Sequence, residues 1–158
     1  MKRIMFVCHG NICRSPMAEF IFKKLVTDNS LESEFTVSSS ATSTEEIWGG
    51  RGNPVYPPAK EELARHGIGC EGKRAVQLTR ADADKYDMFI GMDSANIRNM
   101  HRILGDGAKD KIFKLMSFAG KDADVSDPWY SYRFDIAYKD IYEGCSALLT
   151  TLINGEKK

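Results

Sequence analysis

The sequence predicts an α/β fold: a doubly wound, four-stranded parallel sheet with helices on both faces, in a single domain over residues 1–158. Three observations carry that prediction. Apolar runs at 4–7, 35–37, 88–92 and 112–116 read as strands, and the run at 88–92 is continuously apolar, as a central parallel strand is. Stretches with helical periodicity alternate with those runs, and parallel neighbours need such crossovers. A chain of 158 residues is long enough to bury one full core.

Taken in order, Ile4-Met5-Phe6-Val7 forms the first strand. A loop leads to a helix over 16–28, where Pro16 suits the first position because its missing N–H has no partner there. Met17, Ala18, Ile21, Phe22 and Leu25 make its apolar stripe, with Glu19, Lys23 and Lys24 toward water. The second strand, 35–37, runs into Ser38-Ser39-Ser40-Ala41-Thr42-Ser43, whose hydroxyls favour a polar turn. Residues 44–58, with Trp48-Gly49-Gly50-Arg51-Gly52-Asn53-Pro54, permit no helix or central strand. A helix over 58–66 turns Ala59 and Leu63 inward and stops at Gly67. Thr79 and Asp82 make a capping-box-like start to a short helix. After the strand at 88–92, Asp93 caps a helix carrying Ile97, Met100 and Leu104, and Gly105 ends it. The fourth strand is 112–116. In the last helix, 134–153, Phe134, Tyr138, Ile141, Cys145, Leu148 and Leu152 recur on one face, which reads Cys145 as core.

The chemistry gathers in the loop between the first strand and first helix. Unpaired N–H groups and the positive end of the helix dipole converge there and suit a dianion such as phosphate. Cys8 opens the loop in that field, which favours thiolate over thiol. Arg14 closes it six residues on, with a fork that holds two phosphate oxygens. A nucleophile and an oxyanion clamp at two ends of one cradle describe a phosphoryl-transfer site. The competing readings are zinc ligation, a structural disulfide and inert buried thiols. Zinc lacks a second close pair, because Cys70 and Cys145 stand alone.

The segment Cys8-His9-Gly10-Asn11-Ile12-Cys13-Arg14-Ser15 resembles the signature loop of the low-molecular-weight protein tyrosine phosphatases. The resemblance runs over essentially the full chain and implies a phosphatase acting on phosphotyrosine in proteins and on small aryl phosphates, without cofactor or metal. It implies Cys8 as nucleophile and Arg14 as clamp, with His9, Gly10, Asn11, Ile12, Cys13 and Ser15 completing the phosphate site. Asp127-Pro128-Trp129-Tyr130 looks like the family's general-acid loop, although Asp-Pro alone is an ordinary turn signal. Asp127 is then the acid and base, with Trp129 and Tyr130 flanking the substrate ring beside Ile12. Ser39 matches the family's serine that braces the loop, and His66 its histidine bonded to the loop asparagine, here Asn11. Relatives carry an aromatic soon after the Thr-Ser pair, where this chain has Glu45 and Glu46. Trp48 either forms the pocket wall instead or packs its loop down. Cys13 either captures an oxidised Cys8 as a disulfide, the redox pair the family suggests, or only packs beneath the loop.

Sister activities share the scaffold. Arsenate reductases add a pair of resolving cysteines, and protein-arginine phosphatases carry Thr at the position of Ile12, where a β-branched apolar residue favours an aromatic ring. A non-catalytic phosphate sensor needs neither nucleophile nor acid. Lys+Arg and Asp+Glu are both 22, so no basic surplus advertises nucleic-acid binding. No apolar run is long enough for membrane insertion. Four cysteines and no signal-peptide pattern lead to the expectation of a cytoplasmic monomer with reduced thiols. The expected partners are tyrosine-phosphorylated proteins, with inorganic phosphate or other oxyanions in the loop.

Overall fold

Alternating apolar strands and amphipathic helices can bury both kinds of face only by layering, and the computed structural model, which describes residues 1–155, has that arrangement. In chain order the elements are β1 (Lys2–Cys8), α1 (Arg14–Asp28), β2 (Phe35–Ala41), β3 (Ile47–Trp48), β4 (Arg51–Gly52), α2 (Pro57–Arg65), β5 (Met88–Gly91), α3 (Ser94–Leu104), β6 (Ile112–Lys114), α4 (Pro128–Ser131) and α5 (Phe134–Gly155). The main sheet has the order β2-β1-β5-β6 and every pairing in it is parallel.

The two-residue period of β1 divides the core. Ile4, Phe6 and Cys8 face α1, α2 and α5, packing with Phe22, Leu63 and Leu148. Met5 and Val7 face the other way, onto Met100 and Leu104 of α3. Helices therefore cover both faces, as the sequence predicts. Cys145 is fully buried and its thiol points at the Ala18 carbonyl, 3.7 Å away.

Four local expectations change. β2 runs on to Ala41, because Ser38 to Ala41 pair in register with Met5 to Cys8, and the ladder outcompetes the turn preference of the hydroxyls. α1 starts at Arg14, so Pro16 is its third residue, where an N–H still lacks an intrahelical partner. Glu19, expected in water, is 5% exposed. The run at 112–116 divides: β6 ends at Lys114, and Leu115–Ala119 form a 3-10 turn closed by Gly120 at φ 74. Residues 44–58 do hold one small regular piece, the antiparallel β3-β4 hairpin. Gly49 and Gly50 turn it with φ 57 and 80, the left-handed pair that a two-residue hairpin turn of this hand demands.

Leu115 lies so close to α5 that a Cβ built on Gly144 would meet its Cγ at 2.6 Å. Alanine improves helix propensity by about 1 kcal/mol over glycine. Overpacking costs about 1–3 kcal/mol, so it wins. Gly144→Ala should lower the urea midpoint at unchanged slope; a raised midpoint would show that Leu115 repacks freely.

Candidate active site

The site is made at the carboxyl end of β1, where the chain leaves the sheet and curls before α1. Cys8 is the last strand residue and is 4% exposed. Its Sγ accepts hydrogen bonds from the Asn11 N–H at 3.3 Å and the Ser15 N–H at 3.4 Å, and lies 2.9 Å from Ser15 Oγ. The loop carbonyls are tied outward: Cys8 O accepts from Thr42 N, His9 O from Ser43 N and Ile12 O from Tyr56 N. In a trans peptide the N–H is antiparallel to the C=O, so the amides of His9, Gly10 and Cys13 turn to the inside of the curl. An anion cradle results from where the carbonyls go.

Asn11 is the residue that bends. Its φ is 58, in the left-handed region that asparagine tolerates better than most side chains, and it is 1% exposed. All of its side-chain atoms are used. Nδ2 donates to Ser15 Oγ at 2.8 Å and to Ser39 Oγ at 3.0 Å, while Oδ1 accepts from Val76 N at 3.0 Å. Val76 is brought there because the neighbouring Gln77 bridges to Ala41 at the end of β2. Ser39 Oγ donates in turn to Glu19 Oε1 at 2.5 Å. That buried carboxylate also accepts from Lys23 Nζ at 2.6 Å and has Lys73 Nζ at 3.7 Å, and Lys73 itself donates to Ser39 O. Burial lowers the Lys73 pKa below the ordinary lysine value, with Glu19 opposing the shift.

Arg14 is 5% exposed at the start of α1. Its Nη1 donates to Val125 O at 3.1 Å, and its Nη2 reaches Asp93 Oδ2 at 2.9 Å and Asp127 Oδ2 at 3.6 Å. Burial opposes the guanidinium charge, but Cys8, Asp93 and Asp127 outweigh it and hold the pKa above its usual value. Asp93 also caps α3, accepting from Asn96 N at 2.8 Å, and Asp127 caps the short α4 through Trp129 N at 3.0 Å. The turn reading of Asp127 and its place beside Arg14 thus coexist.

A cavity of about 510 Å³ opens over the loop. Its lining includes Cys8 through Arg14 on the floor, with Asp127, Trp129 and Tyr130 on one wall and Glu45 and Glu46 also bordering it. Ile12 belongs to that floor, and Ser15 and Ser39 lie beneath it. Burial, reinforced by the Cys8 charge, pushes the Cys13 thiol up, and both Cys8 and Cys13 are free. Among the described residues, no group of three or more metal-donor side chains gathers at one point.

Two expected residues lie elsewhere. Trp48 is 74% exposed on the hairpin and does not line the cavity, because the tight Gly49-Gly50 turn carries its strand outward. His66 does not bond Asn11. It ends α2, where its Nε2 pairs with Glu62 at 3.0 Å, one helical turn back, and its ring stacks on Tyr138 at 3.7 Å. Asn11 is satisfied by Ser15, Ser39 and Val76 instead. Sequence reasoning missed the second role of Asp93, together with Glu19, Lys73 and Val76. The position of Asp93 just after β5 was a usable signal, since strand carboxyl ends face the site.

Comparison with known proteins agrees with this geometry. Residues 3–158 match the family model described as low molecular weight phosphotyrosine protein phosphatase. The chain is 36% identical over 154 residues to the low molecular weight protein-tyrosine-phosphatase YfkJ of Bacillus subtilis, covering 96% of each. It is 37% identical over 153 residues to the low molecular weight phosphotyrosine protein phosphatase of Rattus norvegicus, covering 94% of each. The crystal structure of YfkJ superposes with a TM-score of 0.91 over 100% of this chain and 98% of that one. A family model matching residues 3–158 and relatives more than 30% identical along nearly the whole chain leave one assignment: the chain belongs to the low-molecular-weight phosphotyrosine protein phosphatase family.

Proposed function

We propose that the protein hydrolyses phosphotyrosine in proteins, and small aryl phosphates, through a cysteinyl-phosphate on Cys8. The observation that carries this reading is the convergence of Cys8 Sγ, the Arg14 guanidinium and the Asp127 carboxylate on one cavity. The inward N–H groups and Arg14 take the phosphate oxygens, and the guanidinium gives up its looser contact with Asp127 while Val125 O and Asp93 keep it in place. The Cys8 thiolate attacks phosphorus as the phosphorus–oxygen bond to the phenol breaks, and Asp127 transfers its proton to that oxygen. Asp127, now ionised, takes a proton from water, whose oxygen attacks phosphorus and releases phosphate and the thiolate. Ser15 Oγ, 2.9 Å from the sulfur, donates a hydrogen bond to it as it departs.

Ile12, Trp129 and Tyr130 supply apolar and aromatic surface for the phenyl ring above the loop. Cys70 and Cys145 are both buried and neither lines the cavity, so an arsenate-reductase relay lacks its resolving pair. Cys13 remains the proposed redox partner of Cys8.

Turnover of para-nitrophenyl phosphate and phosphotyrosine should proceed in excess chelator. Cys8→Ser should abolish it while retaining phosphate binding, and Arg14→Lys should be nearly inactive because an ammonium has no planar fork. Activity in the serine variant would refute the nucleophile.

Asp127→Ala should cost about 10²–10⁴-fold with phosphotyrosine and progressively less as the leaving phenol becomes more acidic. A penalty independent of leaving-group pKa would reduce Asp127 to a helix cap.

Trp48→Ala should leave kcat/KM within about twofold, since an exposed side chain outside the contact carries little binding energy, whereas Tyr130→Ala should raise KM. The reverse pattern would move the substrate wall to the hairpin.

A further inference from the structure

We infer that Glu45 and Glu46 are specificity-determining residues, selecting phosphotyrosine carried beside lysine or arginine over phosphotyrosine carried beside acidic residues. The inference rests on the phosphotyrosine reading above. With the phosphate seated on the loop, the residues before and after the phosphotyrosine lie over the cavity rim. Acidic side chains outnumber basic ones in the cavity lining: Glu45, Glu46, Asp93 and Asp127 stand against Arg14 and His9. Two cations beside the loop are committed inward: Arg14 is buried against Asp93 and Val125 O, and Lys73 against Ser39 and Glu19, while Arg102 reaches the cavity lining through Asn99 Oδ1 at 3.0 Å. Among the described residues, no lysine lines the cavity and Arg14 is its one arginine.

The two glutamates are held in place rather than waving in solvent. Glu46 lays its stem over the phosphate loop, where a Cβ on Gly10 would meet its Cγ at 3.2 Å. Its Oε1 accepts from Asn53 Nδ2 at 2.9 Å, and Asn53 N donates back to Glu46 O at 2.8 Å. Glu45 meets His9 Nε2 at 2.9 Å while its side chain stays 67% exposed. The exposed faces of Trp129 and Tyr130 border the same cavity. A cation entering this rim gains from the carboxylates and from the aromatic faces together. A flanking carboxylate meets like charge and gains nothing. Repulsion between the glutamates and the phosphate itself is common to every substrate and cancels from a ratio.

The test uses two phosphotyrosine peptides that differ only in having Lys or Glu on either side of the phosphotyrosine, with para-nitrophenyl phosphate in parallel. Native enzyme should favour the Lys peptide by about three- to tenfold in kcat/KM at low salt, the scale of two exposed charge pairs. The ratio should fall toward one at about 1 M salt, where the Debye length shrinks to about 3 Å. Glu45→Gln combined with Glu46→Gln should collapse the low-salt ratio, and Glu45→Lys should shift it toward the acidic peptide. Because each ratio is taken within one protein preparation, a partly unfolded variant still reports. A native ratio near one, a preference for Glu, or a ratio unchanged in the double variant would overturn the inference with the phosphatase reading intact. Absence of turnover with both peptides and with para-nitrophenyl phosphate would overturn the reading beneath it.

Discussion

A sulfur held among inward N–H donors needs a backbone curl that no regular element supplies, and Asn11 makes the curl. Holding a non-glycine residue at φ 58 costs about 1–3 kcal/mol. Three buried side-chain bonds, each worth about 1 kcal/mol net, offset that cost and exist only in the curled form. Their partners come from α1, from β2 and from the segment beside β2. The loop is therefore a tertiary product. Ser39 pairs opposite Phe6 in the β1–β2 register, and a one-residue slip would turn Ser39 to the wrong face and release Asn11.

The charges beneath the loop follow the same logic. A buried carboxylate without a partner costs several kcal/mol, and Glu19 avoids this through Ser39, Lys23 and Lys73. Arg14 is likewise held by Asp93 and Val125 O. The guanidinium is thus oriented by the protein itself, which in the proposed role leaves little side-chain ordering to be done on binding. Among the described residues, both buried charges beside the loop, Glu19 and Arg14, have named partners.

The order of elements was legible because it depends on local signals: the apolar run at 88–92, the stop at Gly67, the caps at Asp93 and Thr79. The meeting of Cys8 and Arg14 at one loop was legible because six residues of spacing in a strand-loop-helix setting is a local pattern. Glu19 was not. Its helical neighbours Lys23 and Lys24 mark a solvated face, and only the arrival of Ser39 and Lys73 from elsewhere makes burial tolerable. Ser38 to Ala41 read as a turn for the same reason, since β1 lay outside any local window. The resemblance implies a bond from His66 to Asn11, yet Glu62 at i−4 is a nearer partner that the sequence itself displays. Residue type alone offers Trp48 as a pocket wall or as packing for its loop, while the two glycines after it signal the tight hairpin turn on which it stands exposed.

The most direct test of the account is rapid chemical quench during the first turnover, followed by peptide mass spectrometry. The account predicts a phosphate covalently attached to the peptide containing Cys8, on the cysteine sulfur, accumulating before free phosphate and absent in Cys8→Ser. Phosphate appearing in solution with no protein-bound species, or a label on His9 instead, would contradict it.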